Sequence, residues 1–431
     1  MKAIINARIY DYETYLENGY VLFDDRIRKT GAMVDYQLPP DVTEVIDLKG
    51  GLLMPSFVIG HAHLYGAYLR AFNPPVYHPL TFRELLEQVY WLLDGALDHE
   101  ASYMSAKAMA LDHIRSGVTT IFDHHACGHE IRGSLEELKR GWVDDSGLRG
   151  IFCFETSDRF NIDDCIEENI SFAKAHHEEN CAGLFGMHAS MTLSEETLRK
   201  VAEKIDDIPL HVHVAESFED QQECINLYGK RIVERFIDHG IVRPHSVFAH
   251  CVNIDQKEAF LMAENGATAA LNPTSNINAG HGVVDYRYLR RFGVTTMIGN
   301  DSLGTNIAND FRNFVYSQHT KAKSTFAVTF EDLKNCINDA YKEASYFLNI
   351  PLGRIKEGYA ADMLALDYIP YTPMDESSVW IHICDAIFQQ SRPRHVWCAG
   401  KAKLVDYEVM LDEERICAES RACAKRIWES I

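Results

Sequence analysis

The sequence predicts an α/β protein: a (β/α)8 TIM-like barrel with a small β-sandwich domain built from both termini. Between residues 52 and 356, eight short apolar runs alternate with longer helical patterns, and from the second run on they recur at the length of a β-loop-α-loop unit. No G-x-G-x-x-G follows the first run and no P-loop occurs, so a doubly wound open sheet lacks its usual phosphate signatures. The two ends of the chain share a different texture, short β-type runs separated by turn residues. Chain termini commonly lie close together, which lets such pieces pair.

Residues 1–52 supply the first part of the sandwich in KAIINARIYDYET, NGYVLFDDRIRKTG and VTEVIDLKG, with no helical pattern among them. The barrel takes 53–356. Its strands are expected at LLMPSFVIG (52–60), VTTIFD (118–123), LRGIFCF (148–154), GLFGMH (183–188), IPLHVHVAE (208–216), SVFAH (246–250), ATAALN (267–272) and VTTMIGND (294–301). Helix starts are signalled by Thr81-Phe82-Arg83-Glu84 ahead of LLEQVYWLL and by Thr192-Leu193-Ser194-Glu195. The second precedes Leu198, Val201, Ala202 and Ile205, an i, i+3, i+4, i+7 face that buries against a sheet. Residues 357–411 return to β texture in GYAADMLALDY and HVWCAGKAKLVDYE, the second part of the sandwich, and 412–431 is a charged, Ala-rich terminal helix.

Composition narrows the function. The 431 residues are 46% hydrophobic and 11% aromatic, enough for a large core and incompatible with disorder. With 42 Lys+Arg against 63 Asp+Glu the net charge is −21, which repels phosphate backbones and argues against a nucleic-acid partner. No apolar run approaches the ~18 residues of a membrane helix, and MKAIINARIYDYE lacks the features of a signal peptide. Eleven scattered cysteines with no C-x-x-C read as reduced, mostly buried thiols. A cytoplasmic enzyme is expected, with a small-molecule partner and a homo-oligomeric state, dimer or tetramer.

Two H-x-H pairs occur, His61-Ala62-His63 and His211-Val212-His213. With twenty histidines such pairs arise by chance, so position carries the argument. Both sit at or near the C-terminal end of an expected strand, where barrel active sites lie. Residues i and i+2 of a strand share a face, so His61 and His63 point inward together; they are either metal ligands or hydrogen-bonded core histidines. In the second pair His213 lies nearer the open end and is the better ligand, with His211 one layer deeper. Glu216 follows at the strand exit, placed either for proton transfer beside a metal or as a helix-start acid. His250 and Asp301 close two further strands, so strands one, five, six and eight all end in metal-competent or proton-transferring groups. His124 and His125 follow the second strand on opposite faces, so at most one reaches the pocket, and His176-His177 reads as solvated surface. Tyr65, Tyr68, Arg70 and His78, after the first strand, either shape substrate choice or pack the loop.

The order H-x-H, H-x-x-E, strand-ending His, Asp resembles the amidohydrolase superfamily, in its aminohydrolase/chlorohydrolase branch with guanine deaminase-like members. Met54-Pro55-Ser56-Phe57-Val58 with Gly60-His61-Ala62-His63 is similar to that family's opening motif, although Ser56 stands where Gly is usual and Ile59-Gly60 where Asn-Ala is common. His211 to Glu216, Ala249-His250-Cys251, Asn272 to Asn276 and Gly358 to Asp362 resemble its later motifs. Phe122 to Ala126, His188-Ala189-Ser190 and Tyr228 to Arg231 look like the SsnA-like aminohydrolases. The resemblance implies one divalent metal, Zn2+ ahead of Fe2+ or Mn2+, held by His61, His63, His213 and Asp301. It implies that His250 orients water, that Glu216 is the general acid/base, and that His188 contacts substrate; His125 is taken as substrate-binding with it. The fourth strand offers no lysine to bridge a second metal.

The chemistry is consistent on its own terms. Such a metal lowers the pKa of water from 15.7 towards ~7. Asp301 then takes the proton, His250 steadies the attacking oxygen, and Glu216 protonates a ring nitrogen or leaving amine. Deamination of a small, purine-like nitrogen heterocycle fits each part. Opening of a cyclic amide or cleavage of a carbon–halogen bond uses the same parts, and a metal-bearing protein without turnover is the alternative from another class.

Overall fold

The computed structural model describes residues 1–390 and 392–431. Strands from both ends of the chain form a single nine-stranded sheet. Lys2–Tyr10 lies near its middle, antiparallel to Tyr15–Phe23 and parallel to Glu44–Asp47 and Leu52–Pro55. Leu52–Pro55 pairs in turn with Met363–Leu366, which continues to His395–Cys398, Lys401–Val405 and Glu408–Val409. The ends of the chain are therefore zipped together, as their shared texture anticipates. One segment departs from the reading of 357–411 as all β: Val379–Asp385 is a helix, with Val379, Trp380, Ile383 and Cys384 buried.

The expected first barrel strand is two strands. Leu52–Pro55 belongs to the terminal sheet, whereas Phe57–Ala62 pairs in parallel with Val118–His125. Ser56 is the crossing point: its N–H donates to Asp362 O, its carbonyl accepts from Tyr341 Oη, and its hydroxyl meets Thr119 Oγ1 at 2.5 Å. Both strands are buried throughout, so no change of periodicity marks the division.

The remaining seven strands fall where expected, all parallel, at Val118–His125, Arg149–Phe154, Phe185–Ala189, Leu210–Val214, Val247–His250, Thr268–Leu271 and Thr296–Ile298. They do not form one continuous hydrogen-bonded ring. Two five-stranded sheets meet at single bridges, Thr156 with Met187 and Ala62 with Asp301. The first seam has a clear cause. Cys181–Gly183 pairs with Arg149–Phe154 and Phe185–Ala189 pairs with Leu210–Val214, so the fourth strand changes partner at Leu184. There the side chain of Asn169, on the helix Ile162–Ala175, replaces the ladder: its Oδ1 accepts from the N–H of Phe154 and of Gly186 at 2.8 and 2.9 Å, and its Nδ2 donates to Phe154 O at 2.8 Å.

Helix signals hold with one shift. Thr81 and Glu84 make the reciprocal capping box. The cap of Glu195–Lys204 is Ser194, accepting from Thr197 N–H, and Ser190–Thr192 is a short 3-10 turn instead. The terminal helix Glu413–Ser430 packs on His99–Arg115, where Arg426 pairs with Asp98 and Glu100 and Trp428 Nε1 donates to Tyr68 O. All eleven cysteines are free and all but Cys417 are buried. Among the described residues no helix is long and apolar enough to cross a membrane.

Candidate active site

The C-terminal ends of the barrel strands bring five predicted residues into one cluster. His63 Nε2 lies 3.2 Å from His213 Nε2 and 3.2 Å from Asp301 Oδ1, and His61 Nε2 is 4.0 Å from the same oxygen. His250 joins it, its ring centroid 5.4 Å from that of His213. Local backbone bends aim these groups: Ala215, His250, Cys251 and Asp301 all have φ between 48° and 71°, a left-handed conformation that costs about 1–3 kcal/mol each outside glycine. First and last strands also approach closely. A Cβ on Gly60 would stand 2.6 Å from Met297 Cβ, which explains glycine before the first histidine.

The cluster fits a divalent cation on the evidence of its proton inventory. His63 and His213 donate through Nδ1 to the carbonyls of His124 and His188 at 2.6 and 2.7 Å, and His61 Nδ1 faces His211 Nε2 at 2.8 Å. Rings held this way turn the lone pair of Nε2 inward. Two such nitrogens then face each other at 3.2 Å, while Nε2 of His61 and of His250 are buried without a partner. Burial and the neighbouring imidazoles push His61 far below the usual histidine range, and burial with His63 and His250 brings His213 down to about 4. Burial raises the Asp301 carboxyl, but His63, His250 and the Ser275 hydroxyl outweigh it and hold it ionised. His63 moves the other way: burial would lower it, but its contact with the Asp301 carboxylate outweighs burial and raises it, so positive charge is favoured between the two. Imidazoles converging on a carboxylate are the donor set of a divalent metal. His61 with His63 and His213, and His61 with His250 and Asp301, each bring their ligand atoms within 4.8 Å.

Glu216 stands at the edge of this cluster, 3.8 Å from His250 Nε2 and 3.4 Å from His281 Nε2. Burial would raise its pKa, but His250 and His281 outweigh burial and hold it below the usual range. Sequence reasoning missed His281. It sits in the loop Ala279-Gly280-His281-Gly282 and is covered by the Phe82 ring, 4.4 Å away edge to face. No strand or helix spacing connects it to Glu216.

A cavity of about 540 Å³ opens over the cluster, within the range of small-molecule sites. His188, Glu216 and Asp301 line it with Tyr65, Tyr90 and Asp94. Asp94 is buried, its Oδ2 paired with Arg159 at 3.2 Å and its Oδ1 without a partner. His125 does not line the cavity. Its Nε2 meets Ser102 on the helix His99–Arg115 at 2.9 Å, on the outer face of the strand, because the inward position falls to His124. His124 lies deeper, donating to Met187 O, and His211 lies beneath His61 as expected. Of the loop residues, Tyr65 reaches the cavity, Tyr68 packs under the terminal helix, Arg70 pairs with Asp112, and the backbone N–H of His78 donates to Gln88. His177 is exposed as expected, but His176 is buried.

The model of the amidohydrolase family matches residues 52–403. A 5-methylthioadenosine/S-adenosylhomocysteine deaminase of Desulfitobacterium hafniense is 25% identical over 429 residues, 97% of this chain and 95% of that protein. A 5'-deoxyadenosine deaminase of Methanosarcina mazei is 28% identical over 427 residues, covering 96% and 94%. In fold, the chain resembles an adenosine deaminase from Xanthomonas campestris with bound zinc, at TM-score 0.84 and 20% identity over 100% and 98% of the two chains. It also resembles an atrazine chlorohydrolase from Arthrobacter aurescens complexed with zinc, at TM-score 0.81 and 21% identity over 98% and 100%. These likenesses give a TIM-barrel fold of mixed α/β content. With the family model spanning most of the sequence, the chain belongs to the amidohydrolase family.

Proposed function

We propose that this protein is a metal-dependent aminohydrolase that deaminates a purine-like nitrogen heterocycle. The observation that carries the reading is the convergence of the His63 and His213 ring nitrogens, the Asp301 carboxylate and Glu216 on one wall of a small-molecule cavity. The deaminases of adenosine derivatives to which the chain is similar support the substrate class. His61, His63, His213 and Asp301 hold one divalent ion, zinc in this reading. Within the same proposal, residues 53–356 close as an eight-stranded barrel, and 1–52 with 357–411 fold as a sandwich.

When bound, a divalent ion there would supply Lewis acidity and lower the pKa of water towards ~7. Asp301 accepts the proton of the attacking water. His250 donates from Nδ1 to Asn276 Oδ1 at 2.8 Å, which leaves Nε2 as an acceptor that orients that water. Glu216, ionised at rest, carries the attacking oxygen's second proton to the ring nitrogen, and the proton held by Asp301 passes to the departing amine. His188, its Nδ1 on Thr192 Oγ1 at 2.7 Å, presents its other nitrogen to the substrate. Water adds at the amidine carbon, the C–N bond breaks, ammonia leaves, and a ring carbonyl remains.

The test is ammonia release by zinc-loaded protein across adenosine-type nucleosides, guanine-type purines, pterins, pyrimidines and cyclic ureides. Release from a purine or nucleoside supports the reading. Turnover confined to cyclic ureides, or none with any compound, overturns it.

A further inference from the structure

At the other end of the barrel, a second group of ligand-capable side chains lies outside the reaction. The helix Ile162–Ala175 ends at His176, and the chain runs through His177–Glu178 and a turn into Cys181–Gly183, the start of the strand that leads to His188. His176 is in extended backbone, so His176 and Glu178 share a face. Cys181 is the direct antiparallel partner of Glu178 and presents its side chain on that same face. A ring nitrogen of His176, a carboxylate oxygen of Glu178 and Cys181 Sγ all lie within 4.8 Å of one another.

Two details point to a cation. His176 Nδ1 stands 3.3 Å from Glu178 Oε2. Tetrahedral zinc with bonds of about 2.0–2.1 Å sets neighbouring ligand atoms about 3.3–3.4 Å apart. The far nitrogen, Nε2, meets Glu136 Oε1 at 2.7 Å, the carboxylate–histidine arrangement that orients metal-ligating imidazoles. With both ring nitrogens facing carboxylates, positive charge is needed at Nδ1, supplied either by a second proton on His176 or by a cation held between His176 and Glu178. Cys181 is buried while Glu178 and Glu136 are exposed, so the group is reached from solvent along its carboxylates. Lys139, near the thiol, is tied to Asp144 at 2.9 Å.

We propose that His176 Nδ1, the Glu178 carboxylate and the Cys181 thiolate bind one zinc-class divalent ion, with water as fourth ligand and Glu136 orienting the imidazole. On binding, the Cys181 thiol loses its proton to solvent and a metal–sulfur bond forms. The ion ties the helices Ser134–Lys139 and Ile162–Ala175 to the base of the fourth barrel strand. That is the end of such barrels where interactions serve stability.

Cobalt(II) titration of the purified full chain tests this. The cluster of His61, His63, His213 and Asp301 contains no sulfur, so a near-ultraviolet thiolate-to-cobalt band reports the second group alone. The expected result is a band saturating at about one ion per chain. Cys181→Ser should abolish it, and Glu178→Gln should weaken cobalt binding at least tenfold while folding is unchanged by circular dichroism. Absence of the band in the unmodified chain at saturating cobalt overturns the proposal, because His176 is then a protonated bridge between two carboxylates. A band that survives Cys181→Ser overturns it too. Neither outcome bears on ammonia release, which rests on the opposite end of the barrel.

Discussion

Glu216 and Asp301 are both carboxylates on the same cavity, yet their contacts separate their roles. Asp301 lies against His61 and His63, whereas Glu216 meets His250 and His281. Glu216→Gln keeps the shape and removes the titratable group, so bound metal should stay near one ion per chain while kcat falls about 10²–10⁴. Asp301→Asn should lower kcat and metal content together. Elemental analysis alongside kcat for both variants checks the pair, and a Glu216→Gln protein emptied of metal would contradict the assignment. The candidate ligand histidines were legible because they lie at strand ends, and for His211 and His213 the alternating Leu210, Val212 and Val214 also set the phase. The phase of His124 and His125 was not, since Val118–His125 is buried on both faces and alternation leaves no mark. His281 was beyond reach for another reason: a loop histidine acquires its partner only when the chain folds back.

At the scale of elements, a buried ion pair joins barrel and terminal sheet. Arg149, at the start of its strand, donates from Nε and Nη2 to Asp362 at 2.6 and 3.1 Å. Asp362 also accepts from Ala399 N–H at 2.6 Å, and its carbonyl holds Ser56. Both side chains are buried, and breaking a buried pair leaves an uncompensated charge at about 3–5 kcal/mol. Asp362→Asn should therefore lower stability by that order in chemical denaturation. Asp362→Ala with Arg149→Met, which removes both charges, should recover part of the loss. The existence of these elements was legible from texture and motif, but not their joints. The strand 52–62 reads as one apolar run, and only tertiary pairing divides it at Ser56. Likewise the seam at Leu184 depends on Asn169, a residue whose helix position says nothing of a sheet.

At the scale of the whole molecule, the last helix is a brace across the barrel. Arg426 reaches Asp98 and Glu100, and Trp428 hydrogen-bonds the backbone beside the cavity loop, against Tyr68. Deleting 412–431 should expose Ile416, Cys423 and Ile427 contacts on His99–Arg115. We expect a fall of several degrees in Tm and increased binding of an apolar dye, with metal content retained. A truncated chain equally heat-resistant would mean the helix contributes no support. Deleting 370–431 also removes His395–Cys398 and Lys401–Val405 from the sheet, and should leave no soluble monomer.

The crossing at Ser56 has an outcome for how this protein tolerates change. The strip of backbone that carries His61 and His63 is continuous with Leu52–Pro55, so cavity and terminal sheet stand in mechanical series, with no slack between them. The terminal sheet is therefore not an exchangeable accessory: replacing it with a relative's should displace His61 and His63. Heating should show the same constraint, with the bound ion released in the transition that unzips the two ends of the chain.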